Sequence, residues 1–325
     1  MTWTPEPRVL VLTRARDETA DYVLRELNRR GVPFMRTDVA DFPLRTALSA
    51  ELRPEGSWRG ALTGASRALA LEGLRAVWWR KPTPFGFPSS MSGPERAFAE
   101  SQARRAVGGI LGSSPEVLWV NRPEAIADCT KPRQLSAAAA AGLTVPETLI
   151  TNRPGDVAEF AERCGGRVVT KSLGSIRYSG EGKNGRLYTS QVPPHRWNDP
   201  RISLTAHLFQ REITDKAYEI RVAAVDGRLF PVVIRAPEGP GRLDWRRDID
   251  NLNYTSTTLP TAVEEGIHTL LHSLGLVFAT LDIIVDTQNV HYLVDVNANG
   301  QWGWIDQTHE PIIHALADLL EKGTR

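Results

Sequence analysis

The stretch Tyr292–Trp304 reads YLVDVNANGQWGW. It opens as an apolar strand, then delivers a carboxylate, three amides, and two tryptophans set among glycines. Asp282 lies upstream inside ATLDIIVD (Ala279–Asp286), and the intervening DTQNV reads as a turn. With that turn midway between them, the carboxylates of Asp282 and Asp295 sit opposite each other on one face of a hairpin. Asn297 returns to the same face through the two-residue period of a strand. Two carboxylates and an amide oxygen suit a hard cation such as Mg²⁺, which takes oxygen ligands and shares them with phosphates. The competing reading has Asp282 capping a turn and Asp295 facing water. It leaves both aspartates inside apolar runs (TLDIIV, YLVDVN), where an unpaired carboxylate is costly.

The rest of the chain bounds what such a hairpin could belong to. Its 325 residues, 41% hydrophobic and 24% charged, can bury a full core and suggest two or three globular units. Thirty-nine basic and 38 acidic side chains leave a net charge of +1, so no bulk field favours nucleic acid or an anionic membrane. Cys129 and Cys164 are too few for a disulfide framework and lack metal-ligand spacing; they fit a reducing cytoplasm and serve as small packing residues. The start, MTWTPEPRVLVLTR, carries no signal pattern, and no apolar run reaches the roughly 20 residues of a membrane span. A cytoplasmic protein is expected.

RVLVLT (Arg8–Thr13), an amphipathic helix over Asp17–Arg30, a stop at Gly31 and VPFMRTD (Val32–Asp38) make a βαβ start. The loop TRARDE holds no glycine, which a dinucleotide fingerprint needs at that position, so a nicotinamide site is excluded. Short strands follow over Leu44–Leu71, then the buried run AVWWR (Ala76–Arg80), a proline-rich loop, a helix over Glu95–Leu111, and VLWVNRPEAI as strand and loop. A first α/β domain over 1–120 is expected. A second unit over 121–207 contains the alanine-rich helix Lys131–Ala141, a strand in VPETLIT, a helix over Asp156–Cys164, and a strand ending at Lys171. Next comes EGKNGRLY, read as a hairpin with an Asn-Gly turn. The third unit, 208–325, is strand-rich: YEIRVAAVDGRLFPVVIRA folds around an Asp-Gly turn. A helix over Thr261–Leu274 precedes the acidic strands, and another over Glu310–Glu321 closes the chain.

The pattern D-I-I…Y-L-V-D-V-N resembles the metal-binding end of the ATP-grasp superfamily, whose ligases form an acyl phosphate from a carboxylate and ATP. The continuation N-A-N-G-Q-W-G-W is similar to one branch, the maturases of graspetides, microviridin-like peptides with ω-ester and ω-amide crosslinks. The resemblance spans about 121–320 and implies an α/β (α+β) ATP-grasp fold behind an N-terminal pre-ATP-grasp domain. It implies ATP and Mg²⁺ as cofactors, a ribosomally made precursor peptide (leader plus core) as partner, and a homodimer. Asp295 stands where many members have Glu, one methylene longer.

By the same resemblance Lys131 and Lys171 are the phosphate-contacting lysines, as compact cations suit phosphate oxygens; each is otherwise an ordinary surface lysine. FQREI (Phe209–Ile213) resembles the adenine linker, with Gln210 near the adenine amino group and Arg211 and Ile213 contributing main-chain contacts. Glu219 matches the carboxylate that accepts from the ribose hydroxyls. Arg221, two residues on, faces phosphate or the substrate carboxylate, or else forms an ion pair with Glu219. LDWRRDIDNLNY (Leu243–Tyr254) carries the D-W-R of the graspetide branch. That assigns Asp244, Arg246 and Arg247 to the substrate side, where Arg246 could clamp a peptide carboxylate bidentately; without the resemblance it reads as a charged loop bracing Trp245. The glycine-punctuated segment Ser172–Arg186 is a phosphate lid, a tight hairpin, or a leader-engaging element. The glycines of G-Q-W-G-W would let the backbone approach phosphate, while Trp302 and Trp304 wall the acceptor site or pack in the core. No dedicated general base stands out; Asp244 and His309 are candidates. Rival functions are an ATP-grasp ligase that adds a free amino acid and an inactive nucleotide-binding scaffold.

Overall fold

In the computed structural model, which describes residues 7–174, 177–180 and 183–323, the N-terminal part is built on a four-stranded parallel sheet. β1 (Val9–Thr13) is buried throughout, as a central parallel strand must be. Helix α1 (Glu18–Arg29) follows with Ala20, Val23, Leu24 and Leu27 buried on one face. It ends before Gly31, whose φ of +71° suits glycine. β2 (Phe34–Thr37) pairs with β1. A meander of β3 (Ala47–Leu52), β4 (Trp58–Thr63) and β5 (Ala68–Ala70) precedes β6 (Ala76–Lys81). Helix α2 (Gly93–Gly112) and β7 (Leu118–Val120) complete the layer, with sheet order β2-β1-β6-β7.

The chain continues through α3 (Pro123–Asp128) and α4 (Lys131–Ala140) into a central lobe. The RPEAI segment, expected as strand and loop, is α3, with Pro123 at its first position where the missing N–H costs nothing. The lobe holds β8 (Thr148–Thr151), α5 (Pro154–Arg163), β9 (Val168–Lys171), a hairpin of β10 (Arg177–Gly180) and β11 (Lys183–Arg186), β12 (Ser190–Gln191) and β13 (His207–Arg211). The hairpin's turn differs from expectation. Gly180 pairs with Lys183, so the connection falls at 181–182, outside the described residues. Asn184 and Gly185 are taken into the ladder opposite Ser179 and Tyr178. Val157, Phe160, Val168, Ile202 and Phe209 give this lobe a core of its own.

A five-stranded antiparallel sheet carries the C-terminal part: β14 (Lys216–Val225), β15 (Arg228–Arg235), β16 (Asn253–Ser256), β17 (Phe278–Asp286) and β18 (His291–Asn297). The Asp-Gly turn between β14 and β15 has φ of 46° at Asp226 and 79° at Gly227, both positive as a two-residue hairpin requires. The short helix α6 (Pro240–Leu243) and two single 3₁₀ turns bridge β15 to β16. Helix α7 (Thr261–Leu274) covers one face of the sheet, burying Ile267, Leu270 and Leu271 against Ile220, Leu281 and Ile283. The other face carries the polar Glu219, Arg221, Thr280 and Asp282, beside Ala223, Val225 and Phe278 under the last helix and Val232 and Ile234 against Trp245. Helix α8 (Asp306–Lys322) begins four residues before the expected Glu310, so Pro311 lies inside it rather than near its start. Ile312, Leu316 and Leu320 of α8 pack with Val9 and Val11 of β1, Trp78 of β6, and Val225 and Phe278 of the C-terminal sheet in one continuous core. Among the described residues no helix is long and apolar enough to cross a membrane.

Candidate active site

The site grows from the register of three strands. Arg221 on β14 pairs with Asp282 on β17, and Asp282 pairs with Asp295 on β18. Leu281, Ile283 and Val296 point the other way into the core under α7, so alternation turns both carboxylates to the open face. The pairing depends on a bulge. Val285 faces His291 and Ile283 faces Leu293, a register that would set Asp282 against Val294. One extra residue at Val294 advances β18 and brings Asp295 opposite Asp282. The displaced Val294 carbonyl accepts a 2.7 Å hydrogen bond from the Lys171 ammonium on β9 of the central lobe.

Lys131, at the first turn of α4, donates to Asp295 Oδ1. Lys131 thus pairs with Asp295, while Lys171, from a different element, is fastened to the backbone one residue before it. Burial pushes the Lys171 ammonium down to about 8, with the Lys131 charge adding to the effect. Burial also opposes ionisation of Asp295, but the positive charges of Lys131 and Lys171 hold its carboxyl below the usual carboxylate range. Arg221 donates to Asp282 Oδ1 at 2.6 Å and to Thr280 Oγ1 at 3.0 Å. Its guanidinium lies 5.4 Å from the ring centres of both Trp245 and Trp304, which stack on each other. Asn297 is exposed, two residues beyond Asp295, and its Oδ1 accepts from the Asn299 amide.

A cavity of about 560 Å³ opens between the central lobe and this sheet. Lys171, Gln210, Arg211, Ile213, Glu219, Asp244, Arg246, Asp282 and Asp295 all line it. Lys131, Arg221 and Asn297 stand just behind or beside that lining through their contacts with Asp295, Asp282 and the end of β18. Gln210 is buried and donates to Thr148 Oγ1; Arg211 pairs with Glu147 at the rim. Glu219 pairs not with Arg221 but with Lys216, at 2.8 Å. Burial pushes its carboxyl up to about 7 against the pull of the Lys216 charge.

Lys216 was not legible in the sequence. Three residues apart on a regular strand, Lys216 and Glu219 would face opposite sides. A register shift between Lys216 and Tyr218 turns them to the same one. Asp244 caps the turn Trp245–Arg247. Its carboxylate accepts from Arg246 Nε (2.8 Å) and Nη2 (2.6 Å), and from the Thr189 amide (2.9 Å). These bonds hold the Asp244 carboxyl below its ordinary range despite burial, and they leave Arg246 Nη1 unused by this pair. Arg247 donates to Thr189 O and Ser190 Oγ, and both arginines lie against the Tyr188 ring.

The packing bears on three of the readings above. The glycines after Asn297 serve close approach between elements: a Cβ on Gly300 would collide with the Thr280 side chain, and one on Gly303 would lie 3.2 Å from Thr19 Oγ1. Trp302 is buried at the junction of the N-terminal and C-terminal parts, so Trp304 alone of the pair lies at the site, against Arg221. His309 packs edge-on against Tyr22, away from the cavity lining.

The donor set fits Mg²⁺ better than a cage-bound metal. Among the described residues no three His, Cys, Asp or Glu converge, whereas two carboxylates and an amide oxygen at a cavity wall match a cation that completes its shell with phosphates and water.

Two lobes clasping a cavity, with Lys171 on one side and an acidic strand pair joined by Lys131 on the other, define the ATP-grasp fold of the ligases, here behind a pre-ATP-grasp domain. Residues 8–127 match the MvdD pre-ATP grasp domain. A RiPP-associated ATP-grasp ligase of Chryseobacterium gregarium, solved with ADP and a leader and core peptide, is similar with a TM-score of 0.87. It is 24% identical over 97% of this chain and 96% of its own. The macrocyclase MdnC of Microcystis aeruginosa MRC, bound with precursor peptide MdnA, has a TM-score of 0.81 at 24% identity over 96% and 98% of the two chains. MdnB, a macrocyclase of the same organism, has a TM-score of 0.79 at 26% identity over 97% and 99%. A search of curated proteins gives no match.

Proposed function

We propose that the chain is an ATP-dependent peptide macrocyclase that condenses Asp or Glu side chains of a ribosomally made precursor with its Ser or Thr hydroxyls, or Lys amines. The observation that carries this reading is a cavity lined by Lys171, Asp282 and Asp295, with Lys131 paired to Asp295 behind them, and by Gln210, Glu219 and Arg246. Lys131 and Lys171 offset phosphate charge, Gln210, Arg211 and Ile213 read the adenine, and Glu219 accepts from the ribose. Asp282, Asp295 and Asn297 would hold Mg²⁺, which when bound would offset phosphate charge. Arg246 offers its free Nη1 to the substrate carboxylate, and Asp244 fixes its plane.

A peptide carboxylate oxygen bonds to the γ-phosphorus as the β–γ bridging P–O bond breaks, giving an acyl phosphate and ADP. The hydroxyl or amine then attacks the acyl carbon and gives up its proton to solvent, the carbon–oxygen bond to phosphate breaks, inorganic phosphate leaves, and the ring closes. The net change in the peptide is loss of one water per ring. Positioning and fixed charge supply the acceleration. Similarity to ligases solved with bound precursor peptides supports the peptide substrate. We further propose that the protein is cytoplasmic and a homodimer; light scattering would test the dimer.

The deciding experiment is the intact mass of a candidate precursor after incubation with protein, ATP and Mg²⁺, beside an Asp295→Ala control. Successive ATP-dependent losses of one water, absent from the control, are expected. A mass gain equal to an added amino acid would instead make it a free-amino-acid ligase, and ADP binding with no peptide change would leave a nucleotide-binding scaffold. Cleavage of the rings by hydroxylamine separates esters from amides.

A further inference from the structure

The segment that follows Asn297 is held by the N-terminal part of the molecule. Four successive carbonyls are engaged by three side chains. Asn121, just after β7, donates to Ala298 O at 2.9 Å. Arg80 on β6 donates through Nη1 to Asn299 O at 2.8 Å and Gly300 O at 3.2 Å. Arg221 donates to Gln301 O at 2.7 Å. Arg80 Nη2 also reaches Gln301 Oε1 at 2.5 Å, an oxygen shared with Thr19 Oγ1. Asn297 is the next link back: its Oδ1 accepts from the Asn299 amide and its carbonyl from the Gly300 amide.

Arg80 is an expensive way to fasten two parts together. Its side chain is fully buried, the nearest carboxylate, Asp17, is 3.5 Å from Nε, and that Nε has no hydrogen-bond partner. An apolar residue of similar length would pack there without the cost of a buried charge. A guanidinium adds direction: a planar fork fixes the orientation of the peptide units it grips.

The geometry points to Arg80 as a positioning residue for the cation site, fixing the 299–301 backbone so that the Asn297 amide oxygen and the end of β18 are aimed before nucleotide arrives. This deepens the nucleotide reading above and rests on it. Partners that orient a metal ligand typically contribute about 10–100-fold in metal affinity.

The test is ADP binding by calorimetry, with Mg²⁺ titrated in and with EDTA, on wild type, Arg80→Met and Arg80→Lys. The adenine and ribose groups lie on β13 and β14, so ADP affinity in EDTA should stay within about twofold in both variants. The Mg²⁺ concentration needed for the tight complex should rise about tenfold in Arg80→Met and less in Arg80→Lys. Equal weakening with and without Mg²⁺, or no change in either, overturns the inference and reduces Arg80 to a clasp between domains. Should Arg80→Met not fold, Arg80→Lys is measured with and without Mg²⁺ in the same way, and a loss confined to the Mg²⁺ titration supports the inference. A wild-type protein whose ADP binding ignores Mg²⁺ overturns the cation reading itself, and this inference with it.

Discussion

Lys171 on the central lobe donates to the carbonyl of Val294, the bulge residue of β18, so one backbone irregularity both aligns the aspartates and anchors the lysine beside them. Filling that site with phosphate should change the protonation of Lys171. Near pH 8 the free ammonium is partly deprotonated, and an adjacent phosphate favours the charged form. ADP binding at pH 8–8.5 is therefore expected to take up a fraction of a proton. Calorimetry in buffers of different ionisation enthalpy reads this directly, and zero uptake would remove Lys171 from the phosphate site.

Lys171 and Glu219 together predict how stability varies with pH. Glu219, raised from 4.5 to about 7, binds its proton more tightly in the folded state. Its contribution is full below pH 4.5 and lost as pH rises through 7. Lys171, lowered from 10.5 to about 8, is unfavourably charged below pH 8, and that loss is recovered between pH 8 and 10.5. Thermal midpoints of Glu219→Gln should show a flatter descent between pH 4.5 and 7 than wild type. An identical slope would contradict the burial argument.

Asp295→Ala leaves Lys131 without its carboxylate and Lys171 beside an uncompensated charge. Condensation should fall by at least about a hundredfold, as loss of a metal ligand implies. Metal-free ADP binding should move the other way, tightening by roughly fivefold, an electrostatic change of about 1 kcal/mol. Weakening in both conditions would show that Asp295 supports the fold rather than the cation.

Arg246 and Asp244 should behave as a unit. Arg246→Lys cannot reproduce the paired Nε and Nη2 bonds, and Asp244→Asn weakens both. Each variant should lose about 1–3 kcal/mol of stability and most of its peptide turnover, and the double variant little beyond either. Additive losses in urea melts would mean the two act separately.

Gly300→Ala should destabilise by about 1–3 kcal/mol, because its new methyl meets Thr280. Adding Thr280→Ala should restore part of the loss while removing an Arg221 partner, leaving activity low. No recovery of the melting midpoint would place the strain elsewhere.

The fold was legible where periodicity carried it. The amphipathic face of α1, the buried run of β1 and the Asp-Gly turn of β14–β15 follow from residue type alone. The acidic pair was legible in outline only. Placing the turn midway gave the right neighbours, yet a regular hairpin would have matched Asp282 with Val294. Bulges at Val294 and beside Lys216 re-aim side chains without leaving a mark in hydrophobic pattern, which hid Lys216. Arg80 and Asn121 stayed hidden for another reason: their partners are main-chain carbonyls, and more than 150 positions separate them in sequence. Trp302 and Trp304 look equivalent in the sequence, and only the packing of α8 against β1 and β6 separates their fates.

That shared core has a practical corollary for protein engineering. Residues from β1, β6, β7, β14, β17 and α8 interdigitate in a single apolar body, while the central lobe keeps a separate one. Exchanging the N-terminal third between related ligases would cut through side-chain packing and strip the carbonyl clasp from the segment beyond Asn297. The natural seams for hybrids are the two crossings into the central lobe, near Gly142 and between Arg211 and Lys216. A transplant there would carry Lys171, the edge of β13 proposed for adenine and the hairpin as a cassette, leaving the acidic strands in their native setting.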